Sequence, residues 1–389
     1  MPIAVNENTN KDSRGVPFAL ARSTRERLES AGIDLSGGYP EYPPKPKNIE
    51  TANAIRREGW EHNDPGSRAD KDKKALFGAA KEVIHYSPYL GTEIVGLQLN
   101  QLSDQQKDEL ALLIAERTIV LFRDQDITPQ QQLELGHYYG VPEVHPTAAR
   151  VPNLPGVSII TDEIARTNGR IPDYKSPFPT QKWHTDLTHE PQPPGVTHLH
   201  LDHLPGIGGD TLWASGYAAY DKLSPAFQKV LDGLEGLYRS AHSYTNPETG
   251  ISEPIVNAHP LVRVHPVTGW KALFVNSRYT VGIKGFEYSE AQAILKKLFE
   301  VYEQNTDIQT RIRWSPRTSV LWDNRISIHS AVYDYLDEGS SEPRHGTRVS
   351  SLAEKPIPVS DGVGKSRREA LGQDTGKVHE LERNTHLSY

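Results

Sequence analysis

The chain changes its hydrophobic period several times, and each change marks an element. HYSPYLGTEIVGLQL alternates around Ile94, Val95 and Leu97, the period-two pattern of a strand with one face buried. From Ser103 the period lengthens: Leu110, Leu113 and Ile114 share a helical face, and Ser103 with Gln106 has the spacing of a capping box opening that helix. A short apolar run from Thr118 to Phe122 predicts the next strand. Thr128 and Gln131 repeat the box, with Pro129 at the first helical position, and predict a second helix up to Gly140. Further on, Ser224-Pro225 predicts a helix through AFQKVLDGLEGL, and Ser289-Glu290-Ala291-Gln292 a capped helix through Leu295, Leu298 and Phe299. TSVLWDNRISIHSAVYDY reads as an apolar strand (Val320, Leu321, Trp322), a turn at Asp323-Asn324, and a second strand ending at His329. Helices do not alternate regularly with strands, so a parallel α/β domain is not expected. The pattern predicts a mostly β chain with helical insertions (α+β), built on a double-stranded β-helix of jelly-roll or cupin-like type.

The two ends differ in character from this middle. Residues 1–82 contain YPEYPPKPK, with prolines at 40, 43, 44 and 46, which predicts an extended arm, followed by short helices anchored by Ile49, Trp60, Leu76 and Phe77. The domain proper is expected over 83–356. Residues 357–389 form a polar tail, expected as surface helix or coil. Just before the conspicuous WHTD, the turn-forming stretch TDEIARTNGRIPDYKSPFPTQK predicts a loop or lid.

Composition narrows the function classes. The 389 residues are 36% hydrophobic and 24% charged, as in an ordinary globular protein. A net charge of -7 with no basic stripe gives no expectation of nucleic-acid binding. With no cysteine, disulfides, zinc-thiolate sites and cysteine nucleophiles are excluded. The start, MPIAVNENTNKDSR, has no apolar core of a signal peptide, and no window reaches the length of a membrane span. A cytoplasmic protein without a membrane partner is expected. A homo-oligomer, dimer or tetramer, is compatible with the sequence.

The candidate chemistry begins at His184 and Asp186. On a strand, residues two apart share a face, and an imidazole and a carboxylate so placed are two members of the 2-His-1-carboxylate facial triad that suits non-haem Fe(II). The tripeptide alone is weak, because among 16 histidines about one H-x-D is expected by accident. HLHLDH supplies a rival pair, His200 and Asp202, with His198 and His203 beside it. Context separates the two. His329 ends a strand that a sandwich would fold back beside the first pair. Arg344 and Arg348, four apart, carry planar guanidinium forks suited to a carboxylate or sulfonate. GIGGDT, a glycine cluster between strands with no helix opening from it, predicts a tight turn, and Thr211 after it offers a hydroxyl to a carboxylate.

WHTD, GGDTLWAS, WDNR followed by His329, the R-x-x-x-R of Arg344 and Arg348, LFRDQDITPQQQLELGHYYG, HPVTGWKALFVN and IRWSP occur together and in one order. The set resembles the TauD/TfdA family of Fe(II)/2-oxoglutarate-dependent dioxygenases, over about Tyr86 to Pro356. The resemblance implies that His184, Asp186 and His329 bind Fe(II), that Thr211 and Arg344 hold the far carboxylate of 2-oxoglutarate, and that O2 is the second cosubstrate. It implies a substrate pocket of His145, Thr180, Ser243, Tyr244, Tyr279 and Arg348, in which His145 and Arg348 meet a small anionic substrate.

The expected reaction is therefore oxidation of an alkyl sulfonate or sulfate ester beside the heteroatom, releasing sulfite or sulfate and an aldehyde. Four departures from the family pattern put taurine in doubt: Thr180 for an asparagine, Ala148 for a tyrosine, and Tyr244 and Tyr279 for phenylalanines. Hydroxylation, desaturation or cyclisation of an amino acid or specialised metabolite is the alternative. A redox-silent jelly-roll binding protein is the reading from another class.

Overall fold

Two β-sheets face one another across the site, and the strand Thr318–Asp323 shows how the sequence builds the larger. All six of its residues are buried, because it lies between Ile119–Phe122 on one side and Pro194–His203 on the other. An uninterrupted apolar run is what a strand covered on both faces requires. The computed structural model describes residues 10–44, 59–167, 182–336, 343–360 and 362–373.

The large sheet has nine strands. Its path runs Glu82–His85, Thr92–Val95, Ile119–Phe122, Thr318–Asp323, Pro194–His203, His345–Leu352, Leu154–Thr161, Arg150–Val151, with Val141–Pro142 also paired to His345–Leu352. The smaller sheet orders Gln309–Ile312, Thr211–Ser215 and Ser327–Ala331, all antiparallel. The core between the sheets holds Trp213, Trp314 and Trp322 together with Leu199, Leu201 and Ile312. This is the expected α+β double-stranded β-helix, with sequence-distant strands paired side by side.

The two capping boxes form as predicted. Ser103 and Gln106 bond each other's backbone at the start of Asp104–Arg117, and Thr128 and Gln131 do so before Pro129–Tyr139. Two helix predictions are corrected. The helix after Ser224 stops at Leu231, and GLYRSAHSY continues as the strand Glu235–Thr245, paired with Ser252–Pro260 and Thr280–Ile283. Gly236, Tyr238 and Ser240 are buried while Arg239 and Ala241 are exposed, so period two prevails over the helical start. The later helix, Tyr288–Glu303, is capped by Glu287 with Glu290 rather than from Ser289, since Tyr288 is already helical.

The N-terminal arm lies packed on the large sheet. Leu28 of the helix Arg22–Ser30 and Tyr39 are fully buried in a cluster with Val151, Val157, Ile159 and Val349. Glu41 exchanges two backbone hydrogen bonds with Arg150, and its carboxylate accepts from Arg150 Nε at 2.9 Å. Of the anticipated anchors, Leu76 is buried, while Ile49 lies outside the described residues. After the domain, Ile357–Pro358 pairs with Val262–Val264, and Arg367 of the helix Arg367–Ala370 is buried between the rings of Tyr89 and Trp270. No helix among the described residues is long and apolar enough to cross a membrane.

Candidate active site

The first ligand segment is held by a zip of hydrogen bonds to the strand Ser327–Ala331. Lys182 N donates to Ser330 Oγ at 3.0 Å, and Thr185 Oγ1 donates to the Ser327 carbonyl at 2.8 Å. Between them His184 and His329 exchange backbone hydrogen bonds of 3.0 and 2.8 Å as an isolated antiparallel bridge. The expected strand at His184-Asp186 is thus a single bridge residue followed by a turn. Leu187, at φ 48°, turns the chain away after Asp186.

This arrangement brings three ligand atoms together. His184 Nε2 lies 3.7 Å from Asp186 Oδ1, His329 Nε2 lies 3.9 Å from Asp186 Oδ2, and all three fall within 4.8 Å of one another. Those separations are too long for hydrogen bonds and short enough for one cation to bridge. His184 Nδ1 donates to the Lys182 carbonyl at 2.7 Å, which leaves the Nε2 lone pair facing the other ligands. Burial, reinforced by the adjacent His329, holds His184 well below the usual histidine range, and burial pushes His329 down to about 4. Both imidazoles are therefore neutral near pH 7, the form that ligates metal.

The rival pair is elsewhere. Leu199 faces the cavity, so by strand alternation His198, His200 and Asp202 point to the opposite face of the sheet. Ser319 Oγ bridges His198 Nε2 at 2.9 Å and His200 Nδ1 at 3.0 Å. Asp202 accepts from Arg27 at 3.1 Å and pairs with His345 Nδ1 at 2.7 Å. Ser319, Arg27 and His345 thus engage these groups on the sheet face turned away from the cavity, and among the described residues only His184, Asp186 and His329 group as metal ligands.

Around the triad the cavity takes most of the other anticipated residues. Arg344 precedes the strand His345–Leu352; its Nη2 donates to Thr211 Oγ1 at 3.3 Å and its Nε to the Gly209 carbonyl at 3.1 Å. That carbonyl is presented by the glycine turn, where Gly208 and Gly209 take φ of 79° and 77°. Trp314 Nε1 also donates to Thr211 Oγ1, at 3.0 Å, so the threonine hydroxyl keeps its own proton for a further acceptor. Arg348 Nη1 donates to Asp186 Oδ2 at 3.0 Å. His145 Nδ1 accepts from the amides of Thr147 and Ala148 at 3.1 and 3.0 Å, which places its proton on Nε2.

Tyr244 and Tyr279 line the cavity, and the Tyr279 ring lies edge-on to His184 at 6.1 Å. Ser243 does not line it: one step from Tyr244 along the strand, it is exposed on the other face. Thr180 lies outside the described residues, as does most of the anticipated lid. Among the lining residues that carried no signal in the sequence are the basic side chains Lys182, His189, His242 and Arg278. They come from connecting segments and a hairpin strand, where no periodicity or motif marks them.

A facial triad at the mouth of a double-stranded β-helix, beside an arginine with a threonine hydroxyl at its tip, defines a mononuclear Fe(II)/2-oxoglutarate-dependent oxygenase. The chain belongs to the family described as taurine catabolism dioxygenase TauD, TfdA family, whose model matches residues 82–350. It is 38% identical over 346 residues to the alpha-ketoglutarate-dependent dioxygenase cnsM of Penicillium expansum, covering 85% of this chain and 94% of that protein. It is 36% identical to the alpha-ketoglutarate-dependent sulfonate dioxygenase of Saccharomyces cerevisiae, covering 82% and 79% respectively. The crystal structure of a taurine dioxygenase from Burkholderia xenovorans superposes with a TM-score of 0.60 at 28% identity, over 75% of this chain and 99% of that one. The protein is an alpha-ketoglutarate-dependent dioxygenase, an oxidoreductase using Fe(II), 2-oxoglutarate and O2.

Proposed function

We propose that this enzyme oxidises a small organic anion, an alkyl sulfonate or sulfate ester, at the carbon bearing the heteroatom. The observation that carries the reading is Arg348, whose guanidinium stands 3.0 Å from the Asp186 carboxylate. An anion seated on it has its neighbouring carbon beside the metal ligands. His145 contributes a second donor, Nε2–H, in the same cavity. The sulfonate dioxygenase named among the relatives supports the same substrate class.

The residues then take distinct roles. His184, Asp186 and His329 hold Fe(II), which supplies O2 activation and couples decarboxylation of 2-oxoglutarate, giving succinate and CO2, to oxidation of a substrate C–H bond. Arg344 and Thr211 bind the far carboxylate of 2-oxoglutarate. Arg344 is held for this by Gly209, and its backbone N–H donates to Asp162 at 2.9 Å. Arg348 and His145 orient the substrate anion, and Ile159, Ile160 and Leu199 keep water from its carbon chain. Hydroxylation beside a sulfonate breaks the C–S bond: the hydroxyl proton leaves, the carbonyl of the aldehyde forms, and sulfite carries away the electron pair.

The test is incubation of the Fe(II)-loaded enzyme with 2-oxoglutarate and a panel of alkane sulfonates, alkyl sulfates and amino acids, measuring succinate and sulfite or sulfate together. One sulfite or sulfate per succinate is expected with a sulfur anion. Succinate formed only with an amino acid, and no sulfur anion released, would move the function to hydroxylation, desaturation or cyclisation of amino acids.

A further inference from the structure

We infer that the preferred substrate is a dianion: two anionic groups joined by a short aliphatic segment, one seated on Arg348 and the other on Arg278 with Lys182. The inference rests on the reading of Arg348 given above and extends it to two further cations of the same cavity.

The charge of the cavity points there. Among the described residues, four cationic side chains line it, Lys182, Arg278, Arg344 and Arg348, against the single carboxylate of Asp186. Fe(II) and the 2-oxoglutarate dianion cancel, so the loaded cavity keeps an excess of positive charge that one monoanion does not balance. Arg344 is already engaged by Thr211 and Gly209, and Arg348 by Asp186. Arg278 and Lys182 differ: among the described residues neither has a carboxylate partner.

Their position suits a second anionic group. The Arg278 guanidinium lies over the Tyr279 ring, 5.3 Å from its centroid, and that ring packs against His184. Lys182 is two residues before His184, at the exposed mouth. Arg348 bonds Asp186, and Arg278 lies over the ring that packs on His184, so each guanidinium fork is associated with a different ligand of the triad. Ile160, Ile164 and Leu199 supply an aliphatic wall, matching an apolar link between two charged ends. A zwitterionic aminosulfonate would instead bring its ammonium toward Arg278 and Lys182, a like-charge contact that works against binding.

Three probes of equal chain length decide the matter: 3-sulfopropanoate (dianion), propane-1-sulfonate (monoanion) and 3-aminopropane-1-sulfonate (zwitterion). Each is titrated without oxygen into the Fe(II) and 2-oxoglutarate complex, following the visible charge-transfer band and the binding heat. The dianion is expected to bind about tenfold or more tighter than the monoanion, as one charge-assisted contact allows, and the zwitterion most weakly. Arg278→Gln should remove that preference, weakening the dianion far more than propane-1-sulfonate and leaving the thermal midpoint unchanged, and Lys182→Gln should reduce it.

Equal affinity for dianion and monoanion, or equal weakening of both by Arg278→Gln, overturns the proposal. If propane-1-sulfonate still binds and Arg348→Gln abolishes that binding, the Arg348 reading stands alone. If none of the three perturbs a band that 2-oxoglutarate does produce, the sulfonate reading itself fails.

Discussion

At the scale of single residues, Arg344 and the buried histidines carry distinct consequences. Removing one partner of a buried charge-assisted pair costs about 2–5 kcal/mol. Arg344→Ala is therefore expected to raise the apparent KM for 2-oxoglutarate by at least about thirtyfold while Fe(II) binding persists. An unchanged KM would reassign the cosubstrate's anchor.

The histidines act on stability instead. Burial holds His198 at about 3 and His259 at about 4, below the ordinary 6.5, and His200 is also held well below. Below pH 6.5 the unfolded chain binds protons that the folded one refuses, so stability falls as pH drops through that value. Each such group contributes about 1.4 kcal/mol of loss by one pH unit below its unfolded pKa. The urea midpoint should accordingly decline between pH 7 and pH 5.5. Glu354, held at about 2 by Arg325 and Arg263 against the cost of burial, adds its own loss only below about pH 4.5. A flat midpoint between pH 7 and 5.5 would contradict the neutral burial of these imidazoles. In the sequence, HLHLDH was legible as a face of polar groups or as a rival metal site. Sequence context ranked it second as a metal site, and strand pairing, which sets Ser319 opposite His200, shows what engages these histidines instead.

At the scale of elements, the strand His345–Leu352 is the most constrained, because it carries Arg348, follows Arg344 and is pinned from behind. Tyr39 of the N-terminal arm bonds His345 Nε2 at 2.7 Å, and His345 Nδ1 bonds Asp202. Tyr39→Phe leaves a buried imidazole nitrogen unpaired, which costs about 1–3 kcal/mol. A lower urea midpoint with an unchanged Fe(II) requirement is expected, and an unchanged midpoint would deny the arm a structural role. A Cβ at Gly346 would stand 2.4 Å from the His200 carbonyl oxygen, so Gly346→Ala should push this strand from its neighbour and cost about 1–3 kcal/mol. The capping boxes at Ser103 and Thr128 were legible because their signals are local. The docking of the arm was not, since the partners of Leu28 and Tyr39 lie in strands far along the chain. The hairpin strand after Leu231 was missed because its period-two burial begins inside a segment that opens as a helix.

At the scale of the whole molecule, a buried ionic network lies at the WDNR turn. Arg325 bonds Asp323 at 2.6 Å, Asp64 at 2.8 Å and Glu354 at 3.1 Å, tying the N-terminal region and the end of the large sheet to the turn before His329. His265 Nε2 pairs with Asp323 at 2.9 Å in the same cluster. Arg325→Ala removes the cation shared by three carboxylates in a buried site, leaving Asp323 to His265 and Glu354 to Arg263, and a loss of about 3–5 kcal/mol is expected, seen as poor soluble yield or a collapsed thermal midpoint. Retention of the wild-type midpoint would show that the network is dispensable.

The backbone bridge between His184 and His329 has a different bearing, on the lifetime of the protein. Its two flanks come from widely separated stretches of chain, and a cation held by both imidazoles and Asp186 is a clamp across the seam where they meet. A ligand that binds only the closed form lends it stability in proportion to its occupancy, about 2.7 kcal/mol at a hundred times its dissociation constant. Iron supply would then govern how long each molecule resists proteolysis as well as how fast it turns over, and a starved cell would clear the idle enzyme first.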